Sequence, residues 1–187
     1  KYQDFYNFCS YESLYKASRK SANGVRWKES VQRYRLNLFA NLFSTRKDLI
    51  NGKDVRQGFI EFIIIERGKL RRIRSVHFRE RVVQKSFCSN ALCPIMTYNL
   101  IKDNGASQKG KGTHFAHKRL LSALKDYYNK NGKSNEGYIL IIDYKSYFDS
   151  IMHEPLKELV RRYFIDDRLI KLADDFTDAF GERGLGL

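Results

Sequence analysis

Residues 138–151 read YILIIDYKSYFDSI, and the interpretation of the whole chain starts from this stretch. It opens with five apolar residues, Tyr138 to Ile142, which follow a glycine and precede a polar segment. Such a run is typical of a strand buried on both faces. Asp143 follows the run, and a carboxylate at the end of a buried strand needs a partner such as Mg²⁺, which prefers oxygen ligands. The alternative for Asp143 is an N-cap or a solvated turn residue.

Composition limits the classes of protein that fit. The chain has 187 residues, 42% of them hydrophobic, which is enough for a packed core in one large domain or two small ones. A net charge of +14 indicates a polyanionic partner, with nucleic acid as the first choice and an acidic membrane surface as the alternative. The longest apolar candidate for a membrane span, Phe59–Ile65, is interrupted by Glu61. Three cysteines without metal-ligand spacing fit a reduced, cytoplasmic protein.

The first fifty residues predict helices. Ser10 is a candidate N-cap for a helix near 11–20. From Trp27 to Leu49, apolar residues recur at steps of three and four, which is typical of one long amphipathic helix or of two. Residues 51–58 follow as a turn segment that begins with Asn-Gly.

A basic β-hairpin is predicted next. Phe59–Ile65 has a β pattern, residues 66–69 form a turn, and Leu70–Val76 is the second strand. Residues 67–81 contain seven basic residues against one acid, Glu80. One interpretation is a charged edge strand that resists aggregation. The other is a basic ribbon that folds over a triphosphate, because arginine and lysine both suit phosphate oxygens.

The second half of the chain predicts a glycine-rich loop and three helices. The loop covers residues 100–111, and Thr113 is the predicted N-cap of the helix that follows. The apolar side of this helix is predicted at Ala116, Leu120, Leu124 and Tyr127. A glycine and lysine loop that leads into a helix N-terminus is a generic phosphate site. Two further helices are expected at 153–164 and 166–180, with Asp166 as a cap rather than a metal ligand.

The nonapeptide D-Y-K-S-Y-F-D-S-I, residues 143–151, resembles motif A of reverse transcriptases, especially the bacterial group II intron-like branch. The resemblance implies that Asp143 binds the catalytic metal ions, Mg²⁺ or alternatively Mn²⁺, together with the backbone carbonyl of Tyr144. It also implies that Phe148 lies under the sugar of the incoming nucleotide and excludes ribose.

A second match is stronger. Residues 68–84, G-K-L-R-R-I-R-S-V-H-F-R-E-R-V-V-Q, resemble the fingers motif of the same enzymes. The resemblance implies that Lys69 and Arg71 contact the phosphates of the incoming nucleotide, with Arg72 as a further nucleotide contact. Arg81 would then support the template strand or the packing of the fingers.

Two more motifs follow in the expected order. Residues 109–116, K-G-K-G-T-H-F-A, resemble the second reverse transcriptase motif, whose loop touches the template backbone. The residues that carry this expectation are Lys109, Lys111 and His114. The segment 181–187, G-E-R-G-L-G-L, resembles the opening of motif B, a glycine-rich turn beside the nucleotide that implicates Gly186.

Together the motifs imply an α+β fold of the right-hand polymerase type. Residues 1–50 would be a helical N-terminal extension, 51–136 the fingers with their β-hairpin, and 137–187 a partial palm with the start of its sheet. The implied activity is RNA-directed DNA synthesis by a bacterial retroelement or a related system such as phage defence. The implied partners are an RNA template, a DNA or RNA primer and dNTP, without a membrane, and an oligomer is compatible with the sequence. The Y-x-D-D motif is absent from the chain, so we expect a fragment that is inactive alone.

Two other functions fit the same residues. One is an RNA-binding maturase or scaffold module in which Asp143 is not used. The other is a template-independent or protein-primed nucleotidyltransferase on the same fold.

Overall fold

A computed structural model describes residues 4–179, 181, 183 and 184 and has the predicted α+β composition. Its helices are α1 (Phe5–Phe8), α2 (Tyr11–Ser21), α3 (Glu29–Leu36), α4 (Leu38–Ile50), α5 (Phe78–Phe87), α6 (Cys93–Met96), α7 (Thr113–Lys130), α8 (Tyr147–Ser150), α9 (His153–Arg161) and α10 (Asp167–Asp178). Its strands are β1 (Phe59–Glu66) and β2 (Lys69–Val76). A π-helical turn at Cys88–Leu92 joins α5 to α6. No helix of the described residues is long and apolar enough to cross a membrane.

The chain divides into two compact units. The first contains Lys1–Ile95 and Ser146–Leu187, and the second contains Met96–Lys145. The boundary between the two units therefore falls inside the motif A segment, directly after Lys145. The predicted functional regions, 1–50, 51–136 and 137–187, stay predictions.

Helix α5 is the centre of the first unit. Val82 and Val83 are completely buried, and Phe87 packs edge-on against Phe8 with ring centroids 6.0 Å apart. The buried Ser86 hydroxyl donates a hydrogen bond of 2.8 Å to the Phe8 carbonyl, so α5 is tied to α1 by a polar contact as well. Full burial of each such apolar side chain stabilises the fold by about 1.5–3 kcal/mol.

Helix α2 forms where the sequence predicts it, whereas α1 was not predicted. The Ser10 hydroxyl caps α2 and accepts a hydrogen bond of 3.2 Å from the Ser13 amide. The amphipathic stretch from 27 to 49 is two helices, because the backbone leaves helical geometry at Asn37, with φ −113° and ψ 39°. The side-chain amide of Asn41 then donates a hydrogen bond of 2.8 Å to the Tyr34 carbonyl, which satisfies a backbone group near the end of α3.

The predicted hairpin is confirmed. Strands β1 and β2 are antiparallel, with a register that runs from Phe59 opposite Val76 to Glu66 opposite Lys69. The two turn residues, Arg67 and Gly68, both have positive φ, at 50° and 76°. Positive φ at both positions defines the type I′ turn, whose twist matches that of the strands it joins.

The predicted buried strand at Tyr138–Ile142 is wrong for the described structure. Tyr138 is fully exposed, at 106%, and the next four side chains are 67–85% exposed. Of the residues that the structure describes, only β1 and β2 form a sheet, and neither pairs with this stretch. A buried strand needs neighbouring strands to satisfy its amide and carbonyl groups, and without them the backbone stays in solvent. Asp143 therefore lies on exposed chain, and the predicted start of a palm sheet is not formed here.

Helix α7 differs from its prediction in two ways. Thr113 is its first residue, and the cap position is Gly112, which has no side chain to accept a hydrogen bond. None of its residues is buried, so the apolar side predicted at Leu120 and Leu124 is exposed. An apolar stripe is buried only when another element covers it, and no described element does so.

The C-terminal helices α9 and α10 confirm the predicted pair. The Asp166 carboxylate accepts a hydrogen bond of 3.0 Å from the Arg168 amide and caps α10 as expected. Helix α10 ends at Asp178, and the predicted last residue, Phe180, lies outside the described residues.

Candidate functional site

The hairpin sorts its basic side chains onto two faces. Residues directly opposite each other in an antiparallel pair share a face, and successive residues alternate between faces. Lys69 is opposite Glu66 and Arg71 is opposite Ile64, so both basic side chains lie on one face. Arg72 lies on the other face. The sequence grouped these three residues as nucleotide contacts, and the structure brings together only Lys69 and Arg71.

Arg81 extends the face that holds Lys69 and Arg71. Its guanidinium donates to the Ser75 hydroxyl at 2.7 Å, and Ser75 lies on the same face of β2 as Arg71. We call Lys69, Arg71 and Arg81 the basic hairpin face. Arg71 also forms a 3.0 Å ion pair with Glu66, in which both side chains are more than half exposed.

A cavity of about 350 Å³ lies at the foot of the basic hairpin face. Its lining includes the apolar residues Val31, Ile60 and Phe62 together with two cations, Lys28 and Arg81. Small-molecule sites of this size, with few polar groups among apolar ones, are common in proteins. The cavity therefore gives the basic hairpin face a concave floor.

The opposite face of the hairpin is a separate surface. Arg74 forms a 2.8 Å ion pair with Glu61, its direct partner across the ladder. Arg72 is paired across the ladder with Ile63, which is exposed. This face therefore combines two arginines with uncovered apolar side chains.

Glu80 and Arg79 make the polar contacts that hold α5 against the base of the hairpin and against α4. Glu80, only 1% exposed, accepts a hydrogen bond of 3.2 Å from the Gln57 amide just before β1. Burial raises the pKa of the Glu80 carboxyl, although the Gln57 hydrogen bond opposes the shift. Arg79 donates to Thr45 at 2.9 Å and to Asp48 at 2.6 Å, which joins α5 to α4. That hydrogen bond with Arg79 lowers the pKa of Asp48.

Phe148 lies next to the described part of the glycine-rich turn. The Gly184 amide donates to the Ile151 carbonyl at 2.8 Å. A Cβ on Gly184 would lie 3.4 Å from the Cα of Asp149 and 3.6 Å from the Phe148 carbonyl oxygen. With φ at +86°, position 184 favours glycine for its backbone conformation as well. The structure thus brings the backbone of Phe148 and Asp149 against Gly184, while Gly186 lies outside the described residues.

His153 is a residue that sequence reasoning missed. It is 3% exposed, and its Nε2 lies 2.7 Å from the Gly184 carbonyl oxygen. The sequence shows only a histidine at the start of a helix, which is usually a structural position. Its contact with a turn 31 residues away depends on tertiary structure, so no local pattern predicts it.

Asp143 and Tyr144 lie in the second unit, on exposed backbone without regular structure. No group of three or more His, Cys, Asp or Glu side chains in the described residues is placed to hold a metal ion. Mg²⁺ needs about six oxygen ligands in octahedral geometry, several of which are usually water. One carboxylate and one carbonyl are too small a donor set, so these residues do not form a metal site by themselves.

The glycine and lysine loop leads into α7 as predicted, but its basic residues differ in their contacts. Lys109 and His114 are exposed. Lys111 donates from Nζ to the Lys102 carbonyl at 2.9 Å and lies 5.1 Å from the centre of the Phe115 ring. Lys111 therefore holds the loop in shape, while the other two side chains extend into solvent.

Comparison with known proteins adds no assignment. No protein-family model matches the chain, and no curated protein matches it significantly. The class defined so far is an α+β protein with a basic hairpin, and the functional argument rests on the residues themselves.

Proposed function

We propose that this chain belongs to an RNA-directed DNA polymerase and supplies its fingers hairpin and motif A. The observation that carries the proposal is the basic hairpin face, on which Lys69 and Arg71 lie together with Arg81 at the foot. The order of the four motifs along the sequence supports it. The whole protein, rather than this chain alone, would perform the synthesis.

The basic hairpin face has the chemistry for a triphosphate. An arginine fork and a lysine point charge two residues apart can bind neighbouring phosphate oxygens through charge-assisted hydrogen bonds. The exposed ion pair between Arg71 and Glu66 contributes only about 0–1 kcal/mol, so a phosphate can replace Glu66 as the partner of Arg71. The cavity beside Arg81 gives room for the rest of a nucleotide.

The resemblance to motif A is what supports a sugar gate at Phe148. A phenylalanine ring beneath the sugar would leave little room for an additional 2′-hydroxyl group. Exclusion by such a clash is discrimination against the wrong substrate rather than stronger binding of the right one. Selection of deoxynucleotides is therefore assigned to Phe148, with Gly186 in the same glycine-rich segment.

Asp143 would contribute one carboxylate, with the Tyr144 carbonyl, to a Mg²⁺ or Mn²⁺ site completed by ligands other than the described residues. A bound divalent ion would stabilise the charge that develops during nucleotidyl transfer. Lys109 and His114 would contact the phosphates of the RNA template, and Lys111 would hold their loop.

The test is Asp143→Asn in the full-length protein. We expect incorporation of dNTP on an RNA template to fall by at least about a hundredfold, since one electrostatic contact in a transition state is worth that much. The melting temperature should not change, because Asp143 is exposed. Asp126→Asn, an exposed acid on α7 in the same unit, is the matched control and should keep wild-type activity. Unchanged incorporation by folded Asp143→Asn protein would contradict the proposal.

An RNA-binding module is the second candidate. It is favoured by the exposure of Asp143 and by the lack of a group of three metal-binding side chains among the described residues. A wild-type full-length protein that binds RNA but incorporates no nucleotide, with or without template, would support this candidate instead.

A further inference from the structure

The cavity at the foot of the basic hairpin face, which we call the foot cavity, is lined by two cations and by no described acid. The cations are Lys28 and Arg81. Neither forms an ion pair with a described residue, whereas Arg71 and Arg74 on the hairpin both do. A concave site lined by charge of one sign focuses the electrostatic field and attracts a ligand of the opposite sign. The foot cavity therefore favours an anion.

The Arg81 guanidinium keeps hydrogen-bond donors for such a ligand. One of its terminal nitrogens donates to the Ser75 hydroxyl at 2.7 Å, and Ser75 also lines the foot cavity. This is the one hydrogen bond that the Arg81 side chain makes among the described residues. A guanidinium has five N–H donors, so the contact holds the group at the wall and leaves the other donors for a ligand.

The first turns of two helices add to the attraction for an anion. Lys28 is the N-cap residue of α3 and His77 that of α5, and both line the foot cavity. In neither helix does a described side chain accept a hydrogen bond from the first amides. Those amides have no acceptor within the helix, and the positive end of the helix dipole lies there. The acids in these first turns, Glu29 and Glu80, do not line the cavity.

Another part of the wall is apolar and aromatic. It includes Val31, Ile60 and Phe62, and Phe62 is 41% exposed. Any nucleobase can stack on an exposed aromatic ring, because every base has a π face. The volume of about 350 Å³ lies in the range of small-molecule sites. Cations together with an aromatic wall suit a molecule that carries a phosphate on a flat, largely apolar body.

We propose that the foot cavity binds a nucleoside phosphomonoester, with its phosphate at Lys28 and Arg81 and its base against Phe62. A free nucleoside 5′-monophosphate and the 5′-phosphorylated end of a nucleic acid strand both present this chemistry. The inference goes beyond the proposed function, which assigns the triphosphate to Lys69 and Arg71. A monophosphate in the foot cavity and a nucleotide that extends into it from the hairpin tip exclude each other.

The test measures binding without catalysis. Isothermal titration calorimetry of the full-length protein, without template, primer or metal ion, compares adenosine 5′-monophosphate (AMP) with adenosine and with inorganic phosphate. AMP should bind at least about tenfold more tightly than either, because it alone offers both a phosphate and a base.

Two substitutions each remove one cation from the foot cavity. Lys28→Gln and Arg81→Gln should each raise the Kd for AMP roughly tenfold, since a charge-assisted hydrogen bond is lost. Arg74→Gln is the matched control, because it removes the same charge from the opposite face of the hairpin, and it should change this Kd less than about twofold. Lys28 is exposed, so Lys28→Gln tests the site even if Arg81→Gln does not fold.

A short single strand with either a 5′-phosphate or a 5′-hydroxyl distinguishes the two sources of the ligand. If the strand end is the ligand, the 5′-phosphate tightens binding to wild type, and Arg81→Gln loses this gain. If the free nucleotide is the ligand, AMP binds tightly while the two strands bind alike.

The outcomes also separate this inference from the proposed function. AMP that binds no more tightly than adenosine, or an AMP affinity that is equal in wild type, Lys28→Gln and Arg81→Gln, overturns the inference. Neither result bears on dNTP incorporation, which tests the proposed function. AMP binding that depends on Lys28 and Arg81, in a protein that incorporates no nucleotide, supports the inference and overturns the proposed function alone.

Discussion

Glu80 is the one acid within the basic run 67–81, and it is almost completely buried. Its two carboxylate oxygens accept from the Gln57 amide at 3.2 Å and from the Gln84 side chain at 3.0 Å. Burial still raises its pKa, so the charged form is disfavoured in the folded protein. The residue joins β1 to α5 but at an electrostatic cost near neutral pH.

The raised pKa of Glu80 predicts a pH dependence of stability. Folding favours the protonated form, so the contribution of Glu80 to the free energy of unfolding is greatest below the unfolded glutamate pKa of about 4.3 and decreases as the pH rises through the folded pKa. Glu80→Gln should remove this decrease, because the amide does not ionise. Chemical denaturation of both proteins between about pH 4 and pH 8 measures the difference.

Glu61→Gln is the matched control for the pH experiment, since Glu61 is an exposed glutamate on β1. It should keep the wild-type dependence. Equal pH profiles for wild type and Glu80→Gln would show that the Glu80 carboxyl does not resist ionisation in the fold.

At the scale of the element, the hairpin turns a basic sequence into two different surfaces. Its register, fixed by the type I′ turn at Arg67 and Gly68, places Lys69 and Arg71 on one face and Arg72 on the other. A slip of one residue would exchange the faces, because side chains alternate with a period of two. Alternation along β2 thus decides which cations share a face, and the two-residue turn decides which residues of β1 lie opposite them.

The division into faces predicts different effects for substitutions that remove the same charge. Lys69→Ala and Arg71→Ala should each raise the KM for dNTP roughly ten- to a hundredfold, because each removes a charge-assisted phosphate contact. Arg72→Ala should raise it less than about threefold, since only screened, longer-range attraction is lost. Steady-state kinetics of the three full-length variants measures this.

RNA affinity provides the internal comparison for these variants. All three should bind RNA slightly more weakly, by similar factors, because each loses one positive charge. A KM increase in Arg72→Ala as large as that in Arg71→Ala would disprove the assignment by face.

At the scale of the whole molecule, the main feature is the net positive charge of +14. The 35 lysines and arginines exceed the 21 acids by fourteen, and many of the acids form ion pairs, such as Glu66 with Arg71 and Asp103 with Arg119. Exposed cations such as Lys109 remain available to phosphates. The net field favours any polyanion, so affinity alone does not identify the partner.

Binding of single-stranded RNA by this chain should weaken steeply with salt. Each phosphate neutralised contributes a slope of roughly −0.7 to a plot of log affinity against log salt concentration. Lys109→Ala should reduce the slope by about one such contribution. Lys111→Ala should reduce it less, because its ammonium bonds the Lys102 carbonyl. Fluorescence anisotropy with a labelled oligonucleotide measures the slopes. An affinity that stays constant between low and moderate salt concentration would exclude phosphate-driven binding.

Much of the local structure was predictable. The Ser10 and Asp166 caps and the hairpin all follow from patterns within a few residues, whereas the sequence left open whether residues 27–49 form one helix or two. The predictions that residues 138–142 form a buried strand and that the apolar side of α7 is covered were wrong, because an apolar run indicates only that burial would be favourable. Whether it is buried depends on another element, and the described residues provide none.

The features of the candidate site can likewise be separated into those that the sequence predicts and those that it does not. The alternation of a strand is enough to place Lys69 and Arg71 on one face once the turn is known, so the sequence by itself determined that part, along with the net charge. Only the tertiary structure decided that Glu80 is buried against Gln57 and that His153 donates to Gly184. Hydrogen bonds within a turn or a ladder are fixed by short-range geometry, whereas the surroundings of a side chain depend on segments tens of residues away that reach it only when the chain folds.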